Sequence, residues 1–280
     1  MSRLDRRRWA NRAALGLATA AAALGLGLLL WILGEVVRRG AAALGPRFFT
    51  ELPAPPGEAG GGLGNAVLGT LYMTLLAAAL AIPVGLACGT YLAEVGRGRT
   101  AAAVRLVNDI LCSAPSIVVG VFVYLLLVRP FGGFSGYAGA VSLAILMVPV
   151  VTRTTEEMLR LVPDALREAA LALGAPAWRV TLTVLFRAAR AGLTTGILLA
   201  VARVAGETAP LLFTALNSPY WVRSLAEPTA NLTVTLFNYA MSPYEDWRRL
   251  AWGAALLITG AVLAASIAAR LATRQGGGVR

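Results

Sequence analysis

The sequence predicts an all-α, polytopic membrane protein with about six transmembrane helices. Three observations carry this expectation. Of 280 residues, 58% are hydrophobic and only 14% are charged, whereas about a quarter of the residues of a soluble domain carry charge. Mean hydropathy is +0.70, and several uncharged stretches reach the roughly 20 residues that a helix needs to cross ~30 Å of hydrocarbon. The charges gather at the ends of those stretches and are not interspersed within them.

The first apolar run, Ala13–Leu33, follows Arg3, Arg6, Arg7, Arg8 and Arg12. Signal peptides also begin with a basic stretch. This core is long, however, and no clear small-x-small cleavage site precedes Gly34-Glu35, so a retained helix with a cytoplasmic N-terminus is expected. From Gly34 to Gly64 the chain is rich in Gly and Pro, including Pro53, Pro55, Pro56, Gly57 and Gly60–Gly62, the composition of an extracytoplasmic linker. Residues 1–64 are therefore set apart as a helix plus linker.

A second span lies within the uncharged stretch Ala59–Ala93, with its core from about Ala66. Arg97, Arg99 and Arg105 mark the loop after it, and third and fourth spans are expected at Leu106–Val128 and Gly136–Thr152. The segment Arg153–Arg190 holds arginines at 153, 160, 167, 179, 187 and 190 and is punctuated by Pro163, Gly174 and Pro176. It reads as a cytoplasmic loop too polar to span. The fifth span is expected at Gly192–Thr214 and the sixth at Leu250–Ala269, with Arg270 and Arg274 leading into a cytoplasmic tail, 271–280. Within the outer segment Leu216–Arg249, the mildly apolar piece Asn231–Met241 is too short to cross and is expected as a re-entrant or interfacial helix.

The net charge of +11 is carried by arginine alone, with no Lys and no His. A basic pI near 10.9 also suits nucleic-acid binding, but the clustering at span ends is that of topology signals. With the N-terminus inside, seventeen arginines fall in cytoplasmic segments and seven in outer ones, and Arg203 lies within a span. The bias favours six helices with both termini cytoplasmic. Cys88 and Cys112 fall inside predicted spans, where thiols act as small apolar fillers. They offer neither a disulfide framework nor metal-ligand spacing, and the absence of His removes the commonest metal ligand and general base. Gly60–Gly62 lacks the lysine and spacing of a P-loop, so ATP binding by that route is not expected.

The most informative stretch is Glu168-Ala169-Ala170-Leu171-Ala172-Leu173-Gly174-Ala175-Pro176-Ala177-Trp178. Glu168, Ala169 and Ala170 continue a helix whose small side chains admit another surface. Gly174 breaks it, and Trp178 and Arg179 open a second amphipathic piece through Phe186. A helix–glycine–helix element on the cytoplasmic face suits docking into a groove on a partner. Glu-Ala-Ala, three residues, then Gly174 resembles the coupling motif of ABC-importer permeases of the type-1 transmembrane class. Two further segments resemble the phosphate permeases of that family: Ala202-Arg203-Val204-Ala205-Gly206-Glu207-Thr208-Ala209-Pro210-Leu211-Leu212-Phe213-Thr214 in the fifth span, and Thr152-Arg153-Thr154-Thr155-Glu156-Glu157-Met158-Leu159 ahead of the loop. Glu227-Pro228-Thr229 and Tyr239-Ala240-Met241-Ser242-Pro243 agree with their outer segment. The resemblance covers roughly Asn65 to Arg270. Where the family has Leu-Pro and a further Pro four residues on, this chain has Phe186-Arg187 and Ala191, so a more helical start to the fifth span is expected.

The resemblance implies a type-1 ABC importer permease domain over 65–270, with a coupling loop at 153–190. It further implies a cell-inner-membrane location and passage of inorganic phosphate inward. The expected partners are a second permease subunit, a cytoplasmic dimer of ATP-binding subunits and an extracytoplasmic phosphate-binding protein. No cofactor is expected on this chain, since ATP and Mg would sit on the ATPase; the chain itself would perform no covalent chemistry. Glu168, Ala169, Ala170, Gly174 and Trp178 would couple to that motor.

Arg203 and Glu207 are four apart, so on a continuous helix they share a face. Charge at membrane depth is expensive and faces a protein interior or a wet cavity. One reading is a self-neutralising structural pair. The other is that Arg203 offers bidentate donors to an oxyanion, with Glu207 pairing it when the path is empty and accepting a hydrogen bond from protonated phosphate. Arg153 and Glu156, three apart at the inner end of the fourth span, read as a second pair. In the resembled family the matching positions are implicated in phosphate passage, which places Arg153, Glu156, Arg203 and Glu207 on the substrate path. Asn65, Thr70, Thr74, Asn108, Asp109 and Ser113 also suit a path, although interhelical hydrogen bonding explains most such residues. Trp31, Trp221, Trp247 and Trp252 read as interfacial anchors. Rival readings are the partner phosphate permease, a molybdate or sulfate permease, an intramembrane enzyme, and a passive channel or scaffold. The Gly-Glu-Thr-Ala-Pro-Leu run favours phosphate, and an enzyme would need a nucleophile–base pair or metal cluster that the sequence does not supply.

Overall fold

A computed structural model describes residues 2–276, with side chains described through Leu271. Residues 277–280 of the expected tail lie outside the described residues. Every regular element is a helix, with no strand among the described residues. Eleven helical elements are named here. They are α1 (Arg3–Gly40), α2 (Pro46–Thr50), α3 (Gly64–Val95), α4 (Gly98–Ser113), α5 (Ser116–Phe131), α6 (Gly136–Arg160), α7 (Asp164–Ala172), α8 (Ala177–Ala205), α9 (Ala209–Thr214), α10 (Leu232–Ala240) and α11 (Glu245–Gly276). Five of them (α1, α3, α6, α8 and α11) are each long and apolar enough to cross a membrane, and α4 with α5 makes a sixth crossing only as a bent pair.

That bend corrects the expected third span. Leu106–Val128 is not one rod: α4 and α5 meet at 103°. The cause is Pro115, whose ring disfavours helical backbone at the residue before it. Ala114 accordingly takes φ −65°, ψ 131°, and the chain turns before Ser116 begins the next helix. The fifth span also moves. It runs as α8 from Ala177 to Ala205, ends at Gly206, and is followed after Thr208 by the short α9. Much of the segment expected as loop, 153–190, is therefore helix: α6 extends to Arg160 and α8 starts at Ala177, leaving only the region of α7 between them. Arginines 179, 187 and 190 lie on the first half of α8, where the backbone is already helical. The absence of proline at 186–191 has the expected result, an unbroken helix with one π turn at Thr181–Leu185.

The centre of the bundle is α3 against α6. Small residues on the two helices bring the backbones together, the usual route to tight packing where lipid supplies no hydrophobic drive between helices. A Cβ on Gly85 would fall 2.6 Å from the Val151 Cβ, and one on Gly89 would fall 2.5 Å from the Thr152 carbonyl oxygen. Met73, Ala77, Ala81, Leu143, Met147 and Val151 fill the seam, and Val204, Leu211 and Val234 close it from the side. Pro83 and Pro149 lie within these two helices, where neighbouring elements compensate for the lost backbone bonds.

One end of the bundle is closed by the linker, α2 and α10. Phe48, Leu63, Leu232, Tyr239, Leu250 and Ala254 form a second core there. The piece expected as a short re-entrant or interfacial helix is α10. Asn231 caps it, its Oδ1 accepting from the Val234 amide at 2.8 Å. Trp247 is more than an anchor: its indole stacks on Tyr239 at 4.3 Å and its N–H donates to the Ala54 carbonyl at 3.1 Å, binding linker to α11. Trp252 lies under the Arg39 guanidinium at 5.1 Å, where α1 reaches α11. Trp31, by contrast, stands exposed on α1, as does most of that helix apart from the partly covered Leu33, Glu35 and Val36, until Gly40 meets Trp252 and Leu256.

Candidate functional site

Two broken helices define the inner site. The Ala114–Pro115 turn between α4 and α5 faces the Gly206–Thr208 turn between α8 and α9. Gly120 of α5 lies so close to α9 that a Cβ there would stand 2.6 Å from the Pro210 Cα. Between the turns lies a cavity of about 200 Å³, lined by Cys112, Ala114 and Ser116 from the first break and by Arg203, Val204 and Glu207 from the second, with Leu146 and Val150 of α6 behind. Non-helical backbone at membrane depth is tolerated where it is buried in protein or lines a cavity, and both breaks meet that condition.

Arg203 and Glu207 thus share a cavity, as the spacing suggested, but they do not share a helical face. Gly206 ends α8 between them, and no ion pair joins the two among the described residues. The Glu207 carbonyl instead accepts from the Thr233 hydroxyl at 2.7 Å, tying the break to α10. Arg203, exposed on this isolated chain, and the half-buried Glu207 both line the space between the breaks, so it is bordered by a multidentate donor and an acceptor.

A second cavity, of about 270 Å³, lies at the opposite end of α6 from Ser135 and is rich in charge: Arg105, Asp109, Arg153, Glu156, Glu157 and Arg160 line it together with Asn108 and Leu92. The expected Arg153–Glu156 pair is not formed. Arg153 bonds Glu157, Nε to Oε1 at 3.1 Å, while Glu156 turns inward and meets Arg105 of α4 at 2.9 Å and Arg160 at 2.8 Å. Helix phase is the reason. Four residues bring side chains over one another, so Arg153–Glu157 and Glu156–Arg160 match within α6, leaving the inner face of Glu156 to the neighbouring helix.

The polar residues of the second span serve mainly as fasteners. Asn65 donates to the Ser218 carbonyl at 2.8 Å, and Thr70 accepts from the Leu232 amide at 2.8 Å while donating to Ala66. Thr74 is buried at the seam. Asn108 and Asp109 do line the charged cavity, whereas the Ser113 hydroxyl bonds its own helix at Ile110. Sequence reasoning missed Ser116, Glu157 and Arg160. It also took Arg105 for a topology marker only, since nothing in a linear sequence says which helix a loop arginine will reach.

The element expected to face the cytoplasm has the helix–glycine–helix form that its sequence predicted. Glu168, Ala169 and Ala170 lie in α7, and Gly174 takes φ +82°, a left-handed turn open to glycine without strain. Trp178 then stands exposed on the first turn of α8, near the exposed Leu171 and Leu173. No cluster of His, Cys, Asp or Glu suited to a metal occurs among the described residues.

Charge gathered at helix breaks, with an apolar exterior and an exposed helix–glycine–helix turn at one end, is the build of a solute permease. The chain belongs to the family described as Binding-protein-dependent transport system inner membrane component, which matches residues 81–275. It is a multi-pass inner-membrane component of that family. Among curated proteins it is 52% identical to the Phosphate transport system permease protein PstA of Yersinia pestis, over 95% of this chain and 90% of that one. It is 50% identical to the protein of the same name from Xylella fastidiosa (strain Temecula1), over 95% and 93%. Among solved structures, a chain of the inward-facing MetNI methionine ABC transporter superposes with a TM-score of 0.63 at 22% identity, covering 76% of this chain and 95% of that one. It shares the fold.

Proposed function

We propose that this chain is the permease subunit of an ATP-driven importer and that it passes inorganic phosphate across the inner membrane. The observation that carries the proposal is the meeting of Arg203 and Glu207 in one cavity at two helix breaks, in a chain about half identical to phosphate permeases along nearly its whole length. A guanidinium recognises a phosphate oxygen pair through two parallel hydrogen bonds. Glu207 accepts a hydrogen bond from the P–OH of a monohydrogen or dihydrogen phosphate and repels a fully ionised sulfate. Arg153 and Glu156 continue the path at the inner end, where the salt bridges of the second cavity open to receive the anion and close behind it.

In this reading both termini are cytoplasmic. The surface of α7 with Glu168, Ala169, Ala170, Gly174 and Trp178 rests in a groove of a separate ATP-binding subunit, which holds ATP and Mg. Closure of the ATPase dimer moves α7 and so the helices. A second permease chain completes the path, an extracytoplasmic binding protein delivers phosphate to the outer face, and this chain carries no cofactor and makes no covalent change.

The complete transporter, purified with its native subunits and placed in proteoliposomes, tests the substrate assignment. Phosphate is expected to accumulate and to stimulate ATP hydrolysis in the presence of the binding protein, with sulfate and molybdate giving no more than the background rate. Stimulation by molybdate or sulfate in place of phosphate would overturn the assignment and leave the permease class intact.

A further inference from the structure

The cytoplasmic end of α3 is gripped by arginines from three other helices. Its last turn, the π turn Tyr91–Val95, presents the Leu92 carbonyl to Arg105 of α4 at 3.2 Å and to Arg160 of α6 at 3.3 Å. Two residues on, Glu94 takes the fork of the Arg167 guanidinium: Nη2 donates to Oε1 at 2.8 Å and Nε to Oε2 at 3.1 Å. Arg167 belongs to α7, and its Nη2 also donates to the Leu159 carbonyl at 3.1 Å, close to the end of α6. The two side chains are largely covered, at 21% and 13% exposure.

Such a pair is a poor way to gain stability, because desolvation offsets most of its attraction. Its bidentate geometry makes it directional. The remaining hold of the bundle on α7 is slight: no residue of α7 is buried, and the small Ala170 and Ala175 are its neighbourhood's contribution to the core of Leu159, Val162 and Val180. Apolar contacts this small slide easily. The forked pair does not, and it ends on a rigid body, since α3 and α6 are locked together at Gly85 and Gly89.

We infer that Glu94 and Arg167 form the pin through which a displacement of α7 turns the α3–α6 pair, which makes both of them positioning residues for transport. The inference rests on the reading of α7 as the element that docks on the ATPase. Turning α6 carries Arg153 and Glu156 with it. The Arg105–Glu156 bridge brings α4, and with it the Ala114–Pro115 break that lines the Arg203 cavity.

The test is a double-mutant cycle in the complete transporter in proteoliposomes, with Glu94→Gln, Arg167→Gln and the two combined. Phosphate uptake and ATP hydrolysis are read in parallel. Each single substitution is expected to lower phosphate moved per ATP about tenfold with hydrolysis roughly preserved, and the double variant should be no worse than either single one, the signature of two residues acting as one unit. Losses that multiply in the double variant, or an unchanged ratio, would overturn the pin. So would failure of the single variants to co-purify with the other subunits, since the pair would then be holding the fold. If the wild-type complex carries a different oxyanion, the substrate assignment fails separately and the same ratio is taken for that anion.

Discussion

At the scale of the residue, Arg203 carries the most consequence. It stands in the last turn of α8, exposed on this isolated chain, and no ion pair among the described residues includes it; an arginine at the centre of a span costs about 2.5–3.5 kcal/mol even on the most lenient scale. A path residue has a reason to persist there and a structural one does not. Arg203→Gln is expected to lower phosphate uptake by at least about tenfold, equivalent to roughly 1.4 kcal/mol, while the complex still assembles. Arg203→Lys keeps the charge and loses the fork, so an intermediate rate is expected. Uptake assays on the purified complex check both, and wild-type uptake by Arg203→Gln would return Arg203 to a structural role. The sequence located this residue and its companion but misjudged their relation. Spacing of four predicts a shared face only while the helix lasts, and Gly206 ends it. Likewise, Arg153 and Glu156 were legible as path candidates, while their true partners depended on how α4 packs on α6, which no spacing within one helix contains.

At the scale of the element, α7 and the turn after it stand apart from the bundle, being short, exposed and joined to α8 through a left-handed glycine. Nothing within 4 Å would obstruct a Cβ at Gly174, so the fold itself tolerates volume there. The positive φ does not tolerate a side chain without strain, on the order of 1–2 kcal/mol. Gly174→Arg is therefore expected to leave membrane insertion intact and to abolish phosphate-dependent ATP hydrolysis and co-purification of the ATPase, measured by affinity capture of the complex. Retained coupling would count strongly against docking at this turn. The motif was readable because glycine after a helix has a physical meaning that survives any context. The start of α8 was not, because hydropathy reads the arginines at 179, 187 and 190 as a break while the backbone there is already helical. The break at Pro115 was visible in principle as Ala114-Pro115, yet a hydropathy window passes over it, since neither residue is polar.

At the scale of the whole molecule, the proposed orientation puts the loop around α7 on the same side as the N-terminus, and α10 with the linker on the other. The packed seam of α3 and α6 runs between the two sides, and the proposed coupling uses it to carry a displacement from one end to both cavities. Five crossings, or six if the bent pair α4–α5 is one of them, were legible from composition because a bilayer imposes one length on every helix that traverses it. Which of them are straight was not, since that depends on turns a few residues long.

The claim on which the rest depends is that the segment between α6 and α8 faces the cytoplasm, where an ATP-binding subunit can hold it. Labelling with a membrane-impermeant maleimide decides this directly, using Trp178→Cys and Met241→Cys in intact cells and in inverted vesicles, each read against the parent chain with its two native cysteines. The cysteine at 178 should react only in inverted vesicles, and be shielded there when the ATPase is bound, while that at 241 should react in intact cells. Labelling of position 178 from outside intact cells would contradict the orientation, the docking surface and the direction of transport together.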